Sequence, residues 1–355
     1  MHKSLVRPVK MVGAAALFLV LLMLLQQLLM PKYMSGVYEG RLIGEYYPEV
    51  KSHDVIFIGD CEVYENISPI TLWEEYGISS FIRGSPQQLV WQSYHLLEET
   101  LRYETPKVVV FSVLSMMYNV PQSEAYNRLT LDGMRLSASK IGSIRASMTE
   151  DEQWSTYLLP ILRYHDRWRE LSGEDFRYIF GGGKVSHNGF MMRCDVRPAG
   201  FIPEGLKLPD YRFGSNSYDY LDRITALCKE NCIELILLKA PSLYPYWYPQ
   251  WDEQMSQYAY NNGLVYINTL DVIDEIGLDW DTDTYDAGLH LNLFGAEKLS
   301  GYLGGMLSER FMLQDHRTDL RFAPIWAGKV EAYYSMKQTQ LRELEAFGEI
   351  RTLTY

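Results

Sequence analysis

The sequence predicts an α/β protein with a doubly wound, mostly parallel sheet in three layers, preceded by one transmembrane helix and carrying a helical insertion. Two observations predict this fold. Short apolar runs rich in β-branched residues alternate with stretches in which apolar residues recur at helical spacing. Such alternation is typical of parallel strands joined by helices that cover both faces of the sheet. In addition, one long uncharged run lies near the N-terminus.

That uncharged run, residues 11–30, predicts the transmembrane helix. Its only strongly polar side chains are Gln26 and Gln27. About 20 helical residues cross the hydrocarbon core of a bilayer. A signal peptide is the alternative, but its apolar core would be shorter and would lead to small residues at a cleavage site. No A-x-A pattern follows this run, which favours an uncleaved anchor.

Basic residues predict the orientation of this helix. Residues 1–10 carry three of them, whereas the stretch after the helix carries both signs of charge. The three are Lys3, Arg7 and Lys10. The positive-inside rule places residues 1–10 in the cytoplasm and everything after Lys32 outside it. We therefore expect a single-pass protein of the cell membrane, in which residues 31–53 form a juxtamembrane connector to an extracytoplasmic domain.

Predicted strands and helices alternate through residues 54–315, which we expect to form one α/β domain. The strands are predicted at 54–60, 79–85, 107–115, 233–241 and 264–270. The helices are predicted at 68–77, 87–104, 216–231 and 251–262, and from about Phe294 onward. The first helix has the clearest terminal signals, with Ser68 as its N-cap, Pro69 at its first position and Gly77 at its end.

Residues 120–215 interrupt the alternation. This stretch is helix-rich at 153–179, crowded with Tyr, Trp and Arg, and contains no clear strand. Long insertions in such sheets leave from the loops that carry function, so we expect a lid or a partner surface here. The tail at 316–355 contains an amphipathic helix at 328–349, whose role the sequence does not indicate.

Charge and motif content exclude several function classes. The net charge of −12 argues against nucleic-acid binding, which requires a basic face. No P-loop or G-x-G-x-x-G follows a strand, so a nucleotide site is unsupported. The histidines at 53, 95 and 187 lack metal-ligand spacing, and we expect no cofactor.

The four cysteines are too few for a disulfide framework in a chain of 355 residues. Cys228 and Cys232 are four residues apart, but no Cys/His pair with ligand spacing accompanies them. Buried thiols are therefore the favoured interpretation of this pair. The absence of a C-x-x-C motif makes a thiol redox protein a weak hypothesis.

Reactive residues follow the first predicted strand and precede the last predicted helix. Cys61 lies in the turn of IGDCEVYENISP, directly after the first strand. His290 lies in DAGLHLNLFGAEK, just before the last helix of the predicted domain. Ligands of doubly wound sheets bind outside the carboxyl ends of the strands, so we expect these two side chains to meet there.

These two blocks resemble the SGNH hydrolases, the GDSL-type esterases and acyltransferases, and in particular their membrane-anchored branch that serves cell-envelope O-acylation. The resemblance covers roughly residues 51–310 without the insertion. It implies an SGNH or flavodoxin-like three-layer fold and ester hydrolysis or acyl transfer. It also makes Cys61 the nucleophile, His290 the general base, and an upstream aspartate the group that orients the imidazole.

Two departures from the family pattern affect the catalytic residues. The nucleophile is a cysteine where the family has serine. The family spacing is Asp-x-x-His, whereas Asp286 lies four residues before His290, so Asp283 stays open as an alternative orienting group.

The candidates for the oxyanion hole are less well defined, because the family block after the third strand is absent. The resemblance implies the backbone N–H groups of Cys61 and Gly84. Weaker candidates for a further donor lie on or after the second and third strands. They are Gln88, Ser112, Ser115 and Asn119.

The cysteine admits two interpretations. A thiolate is the better nucleophile, and a neighbouring histidine or helix N-terminus lowers the pKa of a cysteine well below about 8.5. We expect this electropositive setting at Cys61. Alternatively, the change from serine marks a decayed site kept for packing or scaffolding. The retention of His290 in its block favours an active site.

An aromatic stretch follows the fourth predicted strand, at the end of the sheet where the site is expected. Its members are Tyr244, Tyr246, Trp247, Tyr248 and Trp251. Aromatic faces with polar tips suit a sugar, so these residues are candidate substrate contacts, the alternative being a loop that only packs on the insertion. Lys239 would contact an anionic substrate or, more commonly for a lysine at a strand end, solvent.

The resemblance also implies a substrate and a partner. The expected substrate is a cell-envelope polysaccharide or another acylated polymer, and the expected partner is a multi-spanning membrane acyltransferase. The competing hypothesis is a catalytically inactive SGNH-like scaffold or glycan-binding module in an envelope acylation complex.

Overall fold

The fold is built on one five-stranded sheet in which all four pairings are parallel, in the order β2-β1-β3-β4-β5. The computed structural model describes residues 2–31, 40, 42–179 and 184–353. The strands are β1 Val55–Gly59, β2 Ser80–Gly84, β3 Val108–Ser112, β4 Glu234–Lys239 and β5 Val265–Asn268. The predicted α/β fold with a parallel sheet is confirmed.

Helices cover both faces of this sheet. In the described chain they are α1 His2–Leu29, α2 Leu42–Glu45, α3 Cys61–Tyr64, α4 Pro69–Tyr76, α5 Val90–Thr100, α6 Glu124–Leu131, α7 Ala138–Ser147, α8 Trp154–Leu158, α9 Ile161–Tyr164, α10 Gly173–Ile179, α11 Ser215–Glu230, α12 Pro249–Asn262, α13 Ile273–Ile276, α14 Leu293–Phe311 and α15 Ala323–Phe347. Short 3-10 segments at Leu114–Met117, His165–Arg169 and Thr269–Val272 complete them.

Alternate residues of the central strands enter two separate cores. Phe57 and Val110 pack with α4, α14 and α15 on one face. Ile56 and Val109 pack with α5, α11 and α12 on the other. Because both faces are covered, β1 and β3 are almost entirely apolar rather than alternating with polar residues.

Two element ends differ from the predictions for local reasons. The helix predicted at 87–104 starts at Val90, because Gln87 has a left-handed φ of 48° that cannot belong to a helix. The strand predicted at 107–115 ends at Ser112, because the chain then turns into the 3-10 segment at Leu114–Met117.

The segments on either side of the predicted domain pack onto it. Part of the predicted connector lies outside the described residues, at 32–39 and 41, but Leu42 and Tyr46 are fully buried and Tyr46 contacts Phe81 of β2. In the tail, Trp326 of α15 stacks on Trp73 of α4 with ring centroids 4.6 Å apart. Both segments therefore contribute to the core of the α/β fold.

The insertion contains α6 to α10 and an irregular stretch, of which residues 180–183 lie outside the described chain. Beyond that gap it covers the edge of β2, since Ile82 N donates to Asn188 O at 2.9 Å. A Cβ at Gly189 would lie 2.2 Å from Ile82 O, so only glycine fits this approach. The cover blocks further strand addition at this edge.

Helix α1 contains the predicted membrane span. Residues Val9–Leu29 have a mean hydropathy of 2.3 and are almost entirely exposed. Within the described residues this is the one helix long and apolar enough to cross a bilayer, a property that a membrane anchor and a signal sequence share.

Candidate functional site

Cys61 stands at the carboxyl end of the inner strand β1, as the first residue of α3. Asp60 caps this short helix, with its carboxylate accepting from Glu62 N at 3.1 Å. The turn lies against β3 so closely that a Cβ at Gly59 would be 2.6 Å from Ser112 Cβ. Because only glycine fits at this point, the strand can pass β3 and present Cys61 at the sheet edge.

His290 is held by the loop that leads into α14. Its Nδ1 lies 2.6 Å from Asp286 Oδ2, and its backbone N–H donates to Asp286 Oδ1 at 2.8 Å. The loop between them turns through left-handed residues, Ala287 at φ 68° and Gly288 at φ 96°. This turn accommodates the four-residue spacing and returns the carboxylate to the ring.

Asp283, the other predicted orienting group, points elsewhere. Its carboxylate accepts from Asp279 N at 2.8 Å and pairs with Lys298 Nζ at 2.6 Å. Among the two aspartates, only Asp286 reaches the imidazole of His290. With Nδ1 donating to Asp286, the neutral ring carries its free lone pair on Nε2.

The structure brings Cys61 and His290 together at this edge. Each group shifts the pKa of the other, both as a charge and as a hydrogen-bonding neighbour. The buried Nε2 of His290 makes no hydrogen bond of good geometry to any described residue. Catalytic hydrogen bonds are often loose in an unliganded site and tighten when the substrate is bound.

Glu65 and Tyr285 belong to the same cluster, and the sequence analysis missed both. Glu65 Oε2 lies 3.5 Å from His290 Nδ1, and the Tyr285 hydroxyl donates to the same carboxylate. The signal for Glu65 was its position four residues after Cys61, which places the two side chains on one face of a helical turn. Nothing in the local pattern pointed to Tyr285.

A buried ion pair lies directly behind the cysteine. Glu62 Oε1 is 2.5 Å from Lys239 Nζ, and both side chains are almost fully excluded from solvent. Ser242 donates to the same carboxylate oxygen at 2.5 Å, and Ser112 donates to the other at 3.3 Å. The expectation that Lys239 contacts substrate or solvent is wrong. The end of the strand is covered, and the Lys239 ammonium forms an ion pair with Glu62.

The electrostatic setting of Cys61 is the reverse of the expected one. Burial raises the pKa of the Cys61 thiol to about 11, and the nearby Asp60 and Glu65 add to this, outweighing His290. Burial also raises the pKa of Asp60 to about 7, with Glu62 contributing. The resting group is therefore a thiol, and a base must remove its proton before it can attack.

His290 has the complementary shift. Burial opposes its protonation, but Glu65, Cys61 and Asp286 together raise the pKa of the imidazole well above its usual 6.5. Because the pKa values of the Cys61 thiol and the His290 imidazole are both raised, both groups hold their protons at neutral pH. Loss of a proton from this pair is thus the step that prepares Cys61.

We expect the rate of Cys61 alkylation by iodoacetamide to rise with pH and to reach half of its maximum near pH 11, because only the thiolate reacts. In Glu65→Gln the midpoint moves to lower pH, since the variant removes a negative charge that raises the pKa of the thiol. Mass spectrometry of a Cys232→Ser background measures both rates, because this variant lacks Cys232, whose thiol is exposed and not buried as the sequence predicted. A midpoint below 8.5 in the unaltered site would contradict this electrostatic account.

Two of the oxyanion candidates lie at the site. Cys61 opens α3, so its N–H has no acceptor within the helix. Gly84 pairs with Gly59, and a Cβ there would be 2.9 Å from Val63 Cγ2 and 3.3 Å from Asp60 O. Gly84 therefore lies beside the Cys61 turn, where its role as a donor stays a prediction.

The weaker oxyanion candidates are engaged elsewhere, with one exception. Gln88 donates to Arg83 O and Ser93 Oγ, and Asn119 accepts from Asn216 N at the start of α11. Ser112 donates to Asp60 and Glu62. The buried Ser115 hydroxyl has no partner among the described side chains and backbone groups.

The aromatic stretch divides into two groups. Trp251 is buried in the core beside Phe213, and Tyr248 donates to Leu206 O at 2.7 Å. Tyr246 and Trp247 line a cleft of about 710 Å³, whereas Tyr244 does not. Two of the five predicted contacts therefore border the cleft, and of these Trp247 is largely buried, at 7% exposed.

The cleft adjoins the loops that lead to Glu62 and His290. Its lining includes Ser242, which bonds Glu62, and Leu243, whose N–H donates to Gly288 O at 2.7 Å. Trp280 and Phe201 extend the aromatic surface, and carboxylates lie at its border. These are Asp274, Asp279 and Asp281. The cleft thus combines apolar faces with hydrogen-bond acceptors, next to the loop that carries His290.

No group of three or more potential metal ligands occurs in the parts of the chain that the structure describes. The titratable groups at the site are arranged around the cysteine and histidine instead. The arrangement provides a nucleophile, a base with a free ring nitrogen, and a carboxylate that orients the base, which are the parts of a nucleophilic catalytic site.

Comparisons with known proteins give only distant likenesses. No protein-family model and no curated protein match the chain. A candidate lipolytic protein of the G-D-S-L family from Desulfitobacterium hafniense DCB-2 aligns with 72% of this chain and 100% of its own, at 15% identity and a TM-score of 0.35. A candidate acylhydrolase from Bacteroides fragilis NCTC 9343 aligns with 76% and 95%, at 12% identity and a TM-score of 0.37.

A GDSL-like lipase from Bacteroides thetaiotaomicron VPI-5482 aligns with 74% of this chain and 91% of its own, at 11% identity and a TM-score of 0.32. These identities and TM-scores are too low to carry the family or the activity of those proteins over to this chain. Its chemistry has to be inferred from the site itself.

Proposed function

We propose that the protein is a membrane-anchored, extracytoplasmic acyl-ester hydrolase or O-acyltransferase that acts through Cys61, His290 and Asp286. One observation carries the proposal. His290 is oriented by Asp286 through Nδ1 at 2.6 Å, and it keeps a buried, unbonded Nε2 in the neighbourhood of the Cys61 thiol. The resemblance of the two sequence blocks to SGNH hydrolases supports the same assignment.

The proposed reaction has two steps. The first step starts once the pair has lost one proton and the His290 imidazole is neutral. Nε2 then takes the proton of the Cys61 thiol, Sγ attacks the acyl carbonyl, and the departing alkoxide leaves with the proton from His290. In the second, an acceptor hydroxyl loses its proton to His290 and attacks the thioester, and Cys61 leaves as a thiolate and is reprotonated. The N–H groups of Cys61 and Gly84 are the proposed donors to the carbonyl oxygen in both steps.

The acceptor decides between hydrolysis and transfer. Water as acceptor gives an esterase, and a sugar hydroxyl gives an acyltransferase. The cleft beside the catalytic loops suits a sugar, because Tyr246 and Trp280 offer partly exposed ring faces and the bordering aspartates can accept hydrogen bonds from hydroxyl groups. We therefore propose a cell-envelope polysaccharide as the substrate and a multi-spanning membrane acyltransferase as the source of acyl groups.

The alternative function is an inactive scaffold or glycan-binding module. One observation favours it: the pKa of the Cys61 thiol is raised to about 11, which is the opposite of a preformed thiolate. The pair of Asp286 and His290 favours the enzyme, because it holds an oriented imidazole beside the Cys61 thiol.

Intact-protein mass spectrometry of the full chain in detergent, after incubation with activated acyl esters, tests the proposal. We expect one added acyl group on the native protein, none in Cys61→Ala, and slow addition in His290→Ala. A folded native sample that gains no adduct dependent on Cys61 from any donor would favour the scaffold. Circular dichroism of each variant is the control for folding.

A further inference from the structure

The outer end of α1 is tied to the insertion by one arginine. Arg167 Nη1 lies 3.4 Å from Leu28 O, 3.2 Å from Leu29 O and 3.3 Å from Met30 O. A guanidinium in this position satisfies the last carbonyls of a helix and complements the negative end of its dipole. The insertion is therefore held at the point where the apolar span ends.

A second contact fixes Arg167 itself. Its Nη2 bonds Asp175 Oδ1 at 2.7 Å, and the other carboxylate oxygen of Asp175 accepts from Ser172 N at 2.9 Å. Helices α9 and α10 and the 3-10 segment His165–Arg169 all contact α1. Residues 158–179 thus form one surface around the end of α1.

This surface exposes large apolar side chains. They are Leu158 at 39%, Leu159 at 41%, Leu162 at 51%, Trp168 at 60% and Phe176 at 48%. The span Val9–Leu29 has 21 residues, which as a helix measure about 32 Å, close to the thickness of a bilayer core. The residues that contact Leu28 and Leu29 then lie at the boundary between hydrocarbon and headgroups.

We infer that residues 158–179 form a second membrane contact, in which the apolar side chains of this surface enter the outer leaflet beside α1. The occupant of the surface is lipid. The inference rests on the proposed anchoring by α1, because only an embedded helix places its end at the bilayer boundary. Trp168 fits this position, since tryptophan favours the interface with its ring in the apolar zone.

The driving force is apolar burial rather than charge. Residues 158–179 carry equal numbers of basic and acidic residues: Arg163, Arg167, Arg169 and Arg177 against Asp166, Glu170, Glu174 and Asp175. We therefore expect the contact to form on neutral as well as anionic bilayers. The domain would then rest on the membrane with its insertion instead of moving freely on a tether.

Fluorescent labelling of the full chain in liposomes tests this contact. In a Cys232→Ser background, an environment-sensitive dye is attached at Leu162→Cys or Trp168→Cys, with the background chain measured for residual labelling. Tyr260→Cys is the matched control. It is 84% exposed on α12, beside β5 at the opposite edge of the sheet from α2 and β2.

In phosphatidylcholine liposomes, and in an equal mixture of phosphatidylethanolamine and phosphatidylglycerol, we expect blue-shifted emission at 162 and 168. Lipids brominated on their acyl chains should quench both labels and leave the label at 260 unaffected. Emission at 162 and 168 equal to that at 260 would overturn the inference. So would a blue shift that brominated lipid does not quench and that grows with protein density, because a second copy would then cover the surface.

Flotation of the liposomes after a carbonate wash separates this inference from the anchoring proposal. If the chain does not float, the anchoring by α1 fails and this inference fails with it. If the chain floats and the labels remain in water, anchoring stands and only the second contact is overturned.

Discussion

Asp286→Asn should slow acyl transfer to Cys61 by roughly 10³-fold, as expected when the group that orients a catalytic histidine is lost. An asparagine in this position can donate a hydrogen bond to Nδ1 and so favours the tautomer that carries its proton on Nε2. In that tautomer Nε2 cannot accept the proton of the Cys61 thiol. Glu65, at 3.5 Å from Nδ1, offers a second carboxylate and keeps the loss from being larger. Single-turnover rates from intact-mass measurements give the ratio.

Asp283→Asn is the matched control for this variant. Asp283 lies three residues earlier, is buried, and pairs with Lys298 rather than with His290. We expect it to weaken folding and to leave the acylation rate within a few-fold of the native rate. Equal rate losses in the two variants, or an unchanged rate in Asp286→Asn, would refute the assignment of Asp286.

Lys239→Met should destabilise the fold by about 3–5 kcal/mol, the range found when one partner of a buried ion pair is removed. The loss arises because Glu62 stays buried without its ammonium partner, 2.5 Å away in the native site. Urea unfolding of the full chain in detergent, followed by circular dichroism, measures the change in the free energy of unfolding.

Two further variants establish that the pair is responsible. Lys107→Met breaks an ion pair with Asp54 in which the lysine side chain is 51% exposed, and it should cost only about 0–1 kcal/mol. Lys239→Met combined with Glu62→Gln removes both charges and should recover part of the stability. If Lys239→Met costs no more than Lys107→Met, the buried pair is not a structural requirement.

Strand positions could be read from the sequence because they depend on local composition. Val108 to Phe111 form an uninterrupted apolar run, and a strand covered on both faces needs little more than that. The ends of elements were less accurate, as at Gln87, because a single left-handed residue stops a helix without altering the apolar periodicity. The connector and tail carried apolar residues too, but nothing local indicated that Tyr46 and Trp326 would join the core.

The candidate site could be predicted only in part. Cys61 and His290 were found because each lies beside a strand end or helix start with a characteristic block. The burial of Lys239 and the involvement of Tyr285 were not accessible, since both depend on residues far away in the chain. The prediction that the pKa of Cys61 is lowered is wrong for the same reason. Burial and the carboxylates of Asp60 and Glu65 raise this pKa by more than His290 lowers it.

The sequence by itself determined the order of strands and helices, the apolar span, and the two residues at the centre of the site, because these follow from local periodicity and short motifs. Only the tertiary structure decided which aspartate reaches His290, that Lys239 pairs with Glu62, and that Cys61 rests as a thiol. The physical reason is that hydrogen bonds and desolvation depend on distances between side chains, and folding alone brings residues 61, 239 and 290 to one edge of the sheet.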